Sequence, residues 1–263
     1  MKVVANGIEV NYRFDGPSGA PVVTLSHSLA TDLSMWEPQM AALGARYRVL
    51  RYDTRGHGGT AAPAGPYTLE QLAGDAAGLL DALRIERTHW VGLSMGGMIG
   101  QTLALAVPGK LLSLALCDTS SRIPAEARPL WDERIKTAET KGMEPLVEPT
   151  LARWFTESYR KTQPERVKPI ADAIQSTPVA GYIGCCHAIP KINVTARLGE
   201  IKLPALVIVG EQDPGTPVAM AREIHENLAG SQLVVIPSAA HLANIEQPQA
   251  FNRALTAFYD RAR

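Results

Sequence analysis

Seven short apolar runs, at residues 8–14, 21–25, 47–52, 88–93, 112–117, 205–210 and 232–236, alternate with longer helical patterns along the chain. Runs of that length read as strands, and helices between successive strands make βαβ units around a mostly parallel sheet. The first run alternates apolar with polar residues and is predicted to be an antiparallel edge strand. Runs 88–93, 112–117 and 205–210 are expected to be buried on both faces. Residues 68–83 carry Leu69, Leu72, Ala76, Leu79, Leu80 and Leu83 at helical spacing, and 248–261 reads as a closing helix. From 124 to 198 this rhythm stops. Helical segments there are broken by Pro124, Pro129, Pro145, Pro149 and Pro164, and carry Trp131, Trp154, Phe155, Tyr159 and Tyr182. The predicted organisation is an α/β core, 1–123 and 199–263, with a helical lid, 124–198, inserted over one end of a twisted sheet. A length of 263 residues suits that plan.

Lysines and arginines number 26, as do aspartates and glutamates, so the formal net charge is zero. That balance supplies no electrostatic reason to expect nucleic acid or an anionic membrane as partner. The N-terminus lacks the apolar core of a signal peptide, and no apolar stretch reaches a membrane-spanning length. Cys117, Cys185 and Cys186 are too few, and the last two too close, for a disulfide framework. A reduced, cytoplasmic protein is expected. The histidines lack paired metal-ligand spacing and no phosphate-binding glycine loop occurs, so no metal and no cofactor is expected. Nothing in the sequence specifies an oligomeric state.

The segment carrying most chemistry is Gly92-Leu93-Ser94-Met95-Gly96-Gly97, which follows a predicted strand and precedes a helical pattern beginning at Met98. A serine on so sharp a turn needs small neighbours two positions away on either side, and glycine stands at both. Such a turn exposes the serine oxygen above the sheet and sets the Met95 amide at a helix N-terminus. A nucleophilic serine needs a base, and the base an orienting acid. Asp213 follows the apolar run 205–210, and His241 follows 232–236. Asp118, after 112–117, is an alternative acid. Glu211 is expected to face solvent, and His89, His187 and His225 to pack or be solvated.

The order Ser94, Asp213, His241 resembles that of the α/β-hydrolases over nearly the whole chain. The resemblance implies the α/β-hydrolase fold and an acyl-enzyme mechanism. It also implies an oxyanion hole of two amides, Met95 and, by position in the loop Ser26-His27-Ser28-Leu29-Ala30, Leu29. Ser28 stands where relatives commonly have glycine, and His27 is expected to organise the loop by hydrogen bonding. Asp53-Thr54-Arg55-Gly56-His57-Gly58 resembles a loop widespread in the fold and reads as a structural corner in which Asp53 and Arg55 bond backbone groups.

A finer resemblance is to the 3-oxoadipate enol-lactonases. It rests on Leu25-Ser26-His27-Ser28-Leu29-Ala30-Thr31-Asp32-Leu33-Ser34-Met35-Trp36, the stretch from Arg48 to Gly58, Gly65-Pro66-Tyr67-Thr68, the Ser94 segment, Arg153-Trp154-Phe155-Thr156 and His241-Leu242-Ala243-Asn244-Ile245-Glu246. His27 departs from the asparagine often found there, and the lid diverges more than the core. The resemblance implies a small anionic lactone as substrate, hydrolysed in the breakdown of aromatic compounds, and hence a cation in the pocket. Arg153 is the candidate, with Trp131 and Trp154 as candidate contacts. Alternatives sharing the triad are a broad-specificity carboxylesterase, a haloperoxidase-like perhydrolase and a ligand-sensing receptor. Dehalogenase chemistry would require aspartate in place of Ser94.

Overall fold

A computed structural model describes residues 1–261. The strands are β1 (Lys2–Ala5), β2 (Ile8–Asp15), β3 (Val22–Ser26), β4 (Arg48–Tyr52), β5 (Thr88–Leu93), β6 (Leu111–Cys117), β7 (Ala205–Gly210) and β8 (Gln232–Ile236). They form one eight-stranded sheet in the order β1-β2-β4-β3-β5-β6-β7-β8. β2 pairs antiparallel with both neighbours, and every other pairing is parallel.

One expectation is corrected here. Residues 8–14 do form an antiparallel strand, but the sheet edge is β1, joined to β2 by Asn6 and Gly7. Both turn residues have positive φ, 46° and 79°. An Asn-Gly pair in that conformation makes a tight hairpin whose twist suits the flanking strands. β1 itself is short, with two of its four residues exposed, so it lacks the apolar signature of the inner strands.

The helices are α1 (Met40–Leu43), α2 (Leu69–Ala82), α3 (Met95–Ala106), α4 (Arg128–Lys141), α5 (Glu144–Trp154), α6 (Glu157–Thr162), α7 (Pro164–Ser176), α8 (Val179–Ala188), α9 (Val218–Asn227), α10 (Ala243–Glu246) and α11 (Pro248–Arg261). α2 is capped by Thr68, whose hydroxyl accepts from the Gln71 amide, and buries Leu69, Leu72, Ala76, Leu79 and Leu80. Every residue of β7 is buried, as a strand covered by helices on both faces requires. In such a sheet ligands bind at the carboxyl ends of the strands, near the point where strand order reverses. Here that point lies between β3 and β5.

Between β6 and β7 the chain runs through α4 to α8 without adding a strand to the sheet. α8 approaches the core backbone to backbone: a Cβ on Gly181 would lie 2.0 Å from the Gly56 carbonyl oxygen. No side chain fits there. Gly181→Ala is therefore expected to destabilise the protein by about 1–3 kcal/mol, the range for overpacking a tight contact. Gly199→Ala, with no atom within 4 Å of the new Cβ, should change stability by less than about 0.5 kcal/mol. Urea denaturation of both variants checks the difference.

Candidate active site

Ser94 is the single residue between β5 and α3, and its backbone takes φ 55° and ψ −114°. Such a conformation costs about 1–3 kcal/mol and persists only where the surroundings enforce it. The Ser94 amide donates to the Cys117 carbonyl at 2.9 Å, and the Ser94 carbonyl accepts from the Thr119 hydroxyl at 2.7 Å. The flanking glycines are obligatory: a Cβ on Gly92 would meet the Gly96 carbonyl at 2.0 Å, and one on Gly96 the Ser26 carbonyl at 2.1 Å. Met95, the first residue of α3, carries one of the amides that a helix leaves without an internal partner.

Asp213 and His241 meet in the loops after β7 and β8. His241 Nδ1–H donates to Asp213 Oδ2 at 2.7 Å, which leaves Nε2 as the basic nitrogen. The Asp213 carboxylate also accepts from the Thr216 hydroxyl at 2.5 Å and from the amides of Gly215 and Thr216 at 2.8 and 3.1 Å. Burial alone would raise its pKa. The His241 charge and the bonds from His241 and Thr216 outweigh burial and hold it below the ordinary aspartate value. Asp118 sits in the opposite environment. Its Oδ1 accepts from the Gly210 amide at 2.7 Å, its Oδ2 is buried without a partner, and burial together with Asp213 pushes its pKa well up. Ser94 and His241 line the same cavity with no hydrogen bond between them, a contact that often tightens only with substrate bound.

The loop after β3 carries Leu29 to this cavity. The Ser28 carbonyl accepts from His27 Nδ1–H at 2.7 Å and from the Thr31 hydroxyl at 2.8 Å. Burial lowers the His27 pKa and brings that of His57 down to about 3, so both rings are neutral. The 53–58 corner differs from expectation at Arg55, whose guanidinium forms two 2.6 Å bonds with Asp75 rather than bonding backbone. Asp53 does bond backbone, accepting from the amides of Leu33 and Gly59 at 2.8 Å each.

The cavity has a volume of about 290 Å³, and Ser94, Asp213, His241, Leu29, Trp131, Arg153 and Trp154 all line it. A shallower groove of about 650 Å³, around Tyr159, Arg166 and Gln247, contains none of them. Trp154 stacks on His241, with centroids 6.0 Å apart and planes 27° apart. Sequence reasoning missed Arg134, which lines the cavity and lies over the Trp131 ring at 4.6 Å. It stands three residues after Trp131 in α4, a spacing that puts both on one helix face. Arg134 and Arg153 form no ion pair with a carboxylate among the described residues, and Arg134 Nε is buried without a partner. Burial, then repulsion from Arg134, lowers the Arg153 pKa to about 10. The two half-buried guanidinium groups thus face one cavity without a carboxylate partner among the described residues. Glu246, also missed, accepts from the Thr156 amide and hydroxyl at 2.9 and 2.7 Å and from the Ala240 amide beside His241 at 2.5 Å.

Comparison with known proteins agrees with this architecture. Residues 21–248 match the alpha/beta hydrolase fold family. The chain is 38% identical over 259 residues to 3-oxoadipate enol-lactonase 2 of Acinetobacter baylyi, covering 98% of this chain and 96% of that one. It superposes on the crystal structure of the enol-lactonase from Burkholderia xenovorans with a TM-score of 0.96, at 43% identity, over 99% of this chain and 100% of the other. A malate-bound thermophilic esterase from Thermogutta terrifontis superposes with a TM-score of 0.93, at 29% identity, over 100% and 99% of the two chains. The chain belongs to the α/β-hydrolase family, as a carboxylic ester hydrolase. No described helix is long and apolar enough to cross a membrane.

The two carboxylates make opposite predictions. Asp213→Asn should lower kcat by about 10⁴-fold, because the amide cannot hold His241 in the required tautomer. Asp118→Asn, at a carboxyl whose charged form burial disfavours, should leave kcat within about three-fold. Steady-state kinetics on both folded variants checks the assignment.

Proposed function

We propose that this hydrolase, with Ser94, His241 and Asp213 as its triad, opens 3-oxoadipate enol-lactone to 3-oxoadipate. One observation carries the substrate class: a cavity of about 290 Å³ holds Arg134 and Arg153, without counter-ions, alongside Ser94 and His241. That is room for a small substrate with a carboxylate at one end and a reactive carbonyl at the other. The enol-lactonases among its relatives support the same reading.

In this mechanism Ser94 Oγ attacks the lactone carbonyl while His241 Nε2 takes its proton. Asp213 keeps the imidazolium oriented and stabilised. The oxyanion is held by the Leu29 and Met95 amides. Collapse of the tetrahedral intermediate breaks the ring carbon–oxygen bond and releases an enolate, which takes the proton held by His241 and becomes the ketone of the still-attached acyl chain, leaving His241 neutral again. A water deprotonated by His241 then attacks the ester, and Ser94 leaves with its proton restored. The Arg134–Arg153 pair holds the free carboxylate, and Trp131 and Trp154 wall the ring. Residues 124–198 act as the lid. The three buried free thiols, Cys117, Cys185 and Cys186, suit the reducing cytoplasm.

A broad carboxylesterase is the second reading, favoured by the likeness to the Thermogutta terrifontis esterase. The ratio of kcat/KM for the enol-lactone to that for p-nitrophenyl acetate separates the two, and a preference for the simple ester would overturn the lactonase reading. A fluorophosphonate should add one adduct at Ser94, absent from Ser94→Ala. Arg134→Gln and Arg153→Gln should each raise KM for the lactone about 10–100-fold, the worth of one charge-assisted hydrogen bond, with p-nitrophenyl acetate turnover within about three-fold.

A further inference from the structure

The corner 53–58 makes no contact with the cavity, yet its backbone and side chains converge on the loop that carries Leu29. We infer that this corner is the device that aims the Leu29 amide at the reacting carbonyl, with His57 as its positioning residue. The inference rests on the acyl-enzyme reading above.

In a trans peptide the carbonyl and the following N–H point in opposite directions. The Ser28 carbonyl is turned towards His27 Nδ1 and the Thr31 hydroxyl, so the Leu29 N–H of the same peptide points away from both. The next peptide is fixed from its other end: the Ala30 amide donates to His57 Nε2 at 2.9 Å. Leu29 is thus held between two clamped peptides. Ala30 takes φ 57°, a left-handed conformation that costs an alanine roughly 1–2 kcal/mol. The His57 bond is one of the contacts that keep it there.

Hydrogen bonding fixes the tautomer of each ring. His27 Nε2 accepts from the Thr54 amide at 2.9 Å, so its proton is on Nδ1, facing Ser28. His57 Nε2 accepts from Ala30, so its proton is on Nδ1, facing the Arg55 carbonyl at 3.1 Å. A second proton on either ring would set N–H against N–H. The corner that carries these contacts is rigid in its own right. Arg55 is paired with Asp75, and Asp53 accepts from Asn11, Leu33 and Gly59 at 2.7, 2.8 and 2.8 Å.

Two substitutions at one position test the inference. In His57→Gln the side-chain oxygen reaches the place of Nε2 and still accepts from Ala30. In His57→Asn it reaches only the place of Nδ1, and the Ala30 amide is left buried without an acceptor. His57→Gln should keep kcat within about three-fold of the parent. His57→Asn should lose kcat about 30–100-fold at unchanged KM, near the lower end for removing one oxyanion donor. A trifluoromethyl ketone adds Ser94 Oγ to its carbonyl carbon, with the serine proton passing to His241 and the new oxyanion entering the hole. Its inhibition constant should rise in His57→Asn by the same factor as kcat falls, while inhibition by 3-oxoadipate stays unchanged. Equal activity of the two variants, or losses that follow thermal stability instead of the ketone affinity, would overturn the inference. If neither variant folds, Thr31→Val, which removes one of the bonds on the Ser28 carbonyl, is expected to show the same split, and an unchanged kcat there overturns it. Failure of the parent enzyme to label at Ser94 would instead refute the acyl-enzyme reading itself.

Discussion

A non-glycine residue at φ 55° is stable only where its neighbours leave it no alternative, and much of the sheet's carboxyl edge is arranged to that end around Ser94. Gly92 and Gly96 have no room for a side chain because the backbones of α3 and β3 occupy that space. The end of β6 supplies an acceptor for the Ser94 amide, and Thr119 a donor for its carbonyl. Holding that conformation sets a half-buried serine at the cavity wall and leaves, one residue on, an unpaired helix amide. On the mechanism proposed above, the nucleophile and one half of the oxyanion hole would both follow from a single backbone strain.

The two aspartates at the ends of β6 and β7 show how environment assigns chemical roles to identical side chains. Asp213 is met by four hydrogen-bond donors, one of them His241, and is held in its charged form. Asp118 is met by one amide, and burial together with the Asp213 charge pushes its pKa well up. Two titratable groups whose surroundings drive their pKa values apart mark out an acid–base assignment.

Seven of the eight strands, the Ser94 turn and the order Ser94, Asp213, His241 could be read from the sequence, because each depends on local pattern: apolar runs, glycines at fixed offsets, acids and a histidine after strands. β1 escaped because four residues, two of them exposed, carry no apolar period; the Asn6-Gly7 turn was its only signal. Arg134 escaped for a different reason. Its charge matters through its nearness to Arg153, nineteen positions further along the chain, and only the packing of α4 against α5 brings the two together. The bonds that the Ala30 amide donates to His57 and the Thr156 amide to Glu246 likewise span loops distant in sequence, where no periodicity reports on contact.

Besides the bonds that join residues 192–195 to 121–123, two contacts fasten the helices α4 to α8 to the core. At one, Glu246 and the Trp154 carbonyl tie the start of α6 and the end of α5 to the loop of His241. At the other, α8 lies glycine against glycine on Gly56 and Gly65. The stretch from Ile123 to Arg134 lies outside both fastenings, yet it supplies Ile123, Leu130, Trp131 and Arg134 to the cavity wall. Divergence in substrate range can therefore accumulate in that stretch at little structural expense, since exchanging its side chains reshapes the cavity wall without loosening the histidine loop. A lineage exploring new esters from this scaffold would be expected to vary first between residues 123 and 134, and last at Gly181 and Glu246.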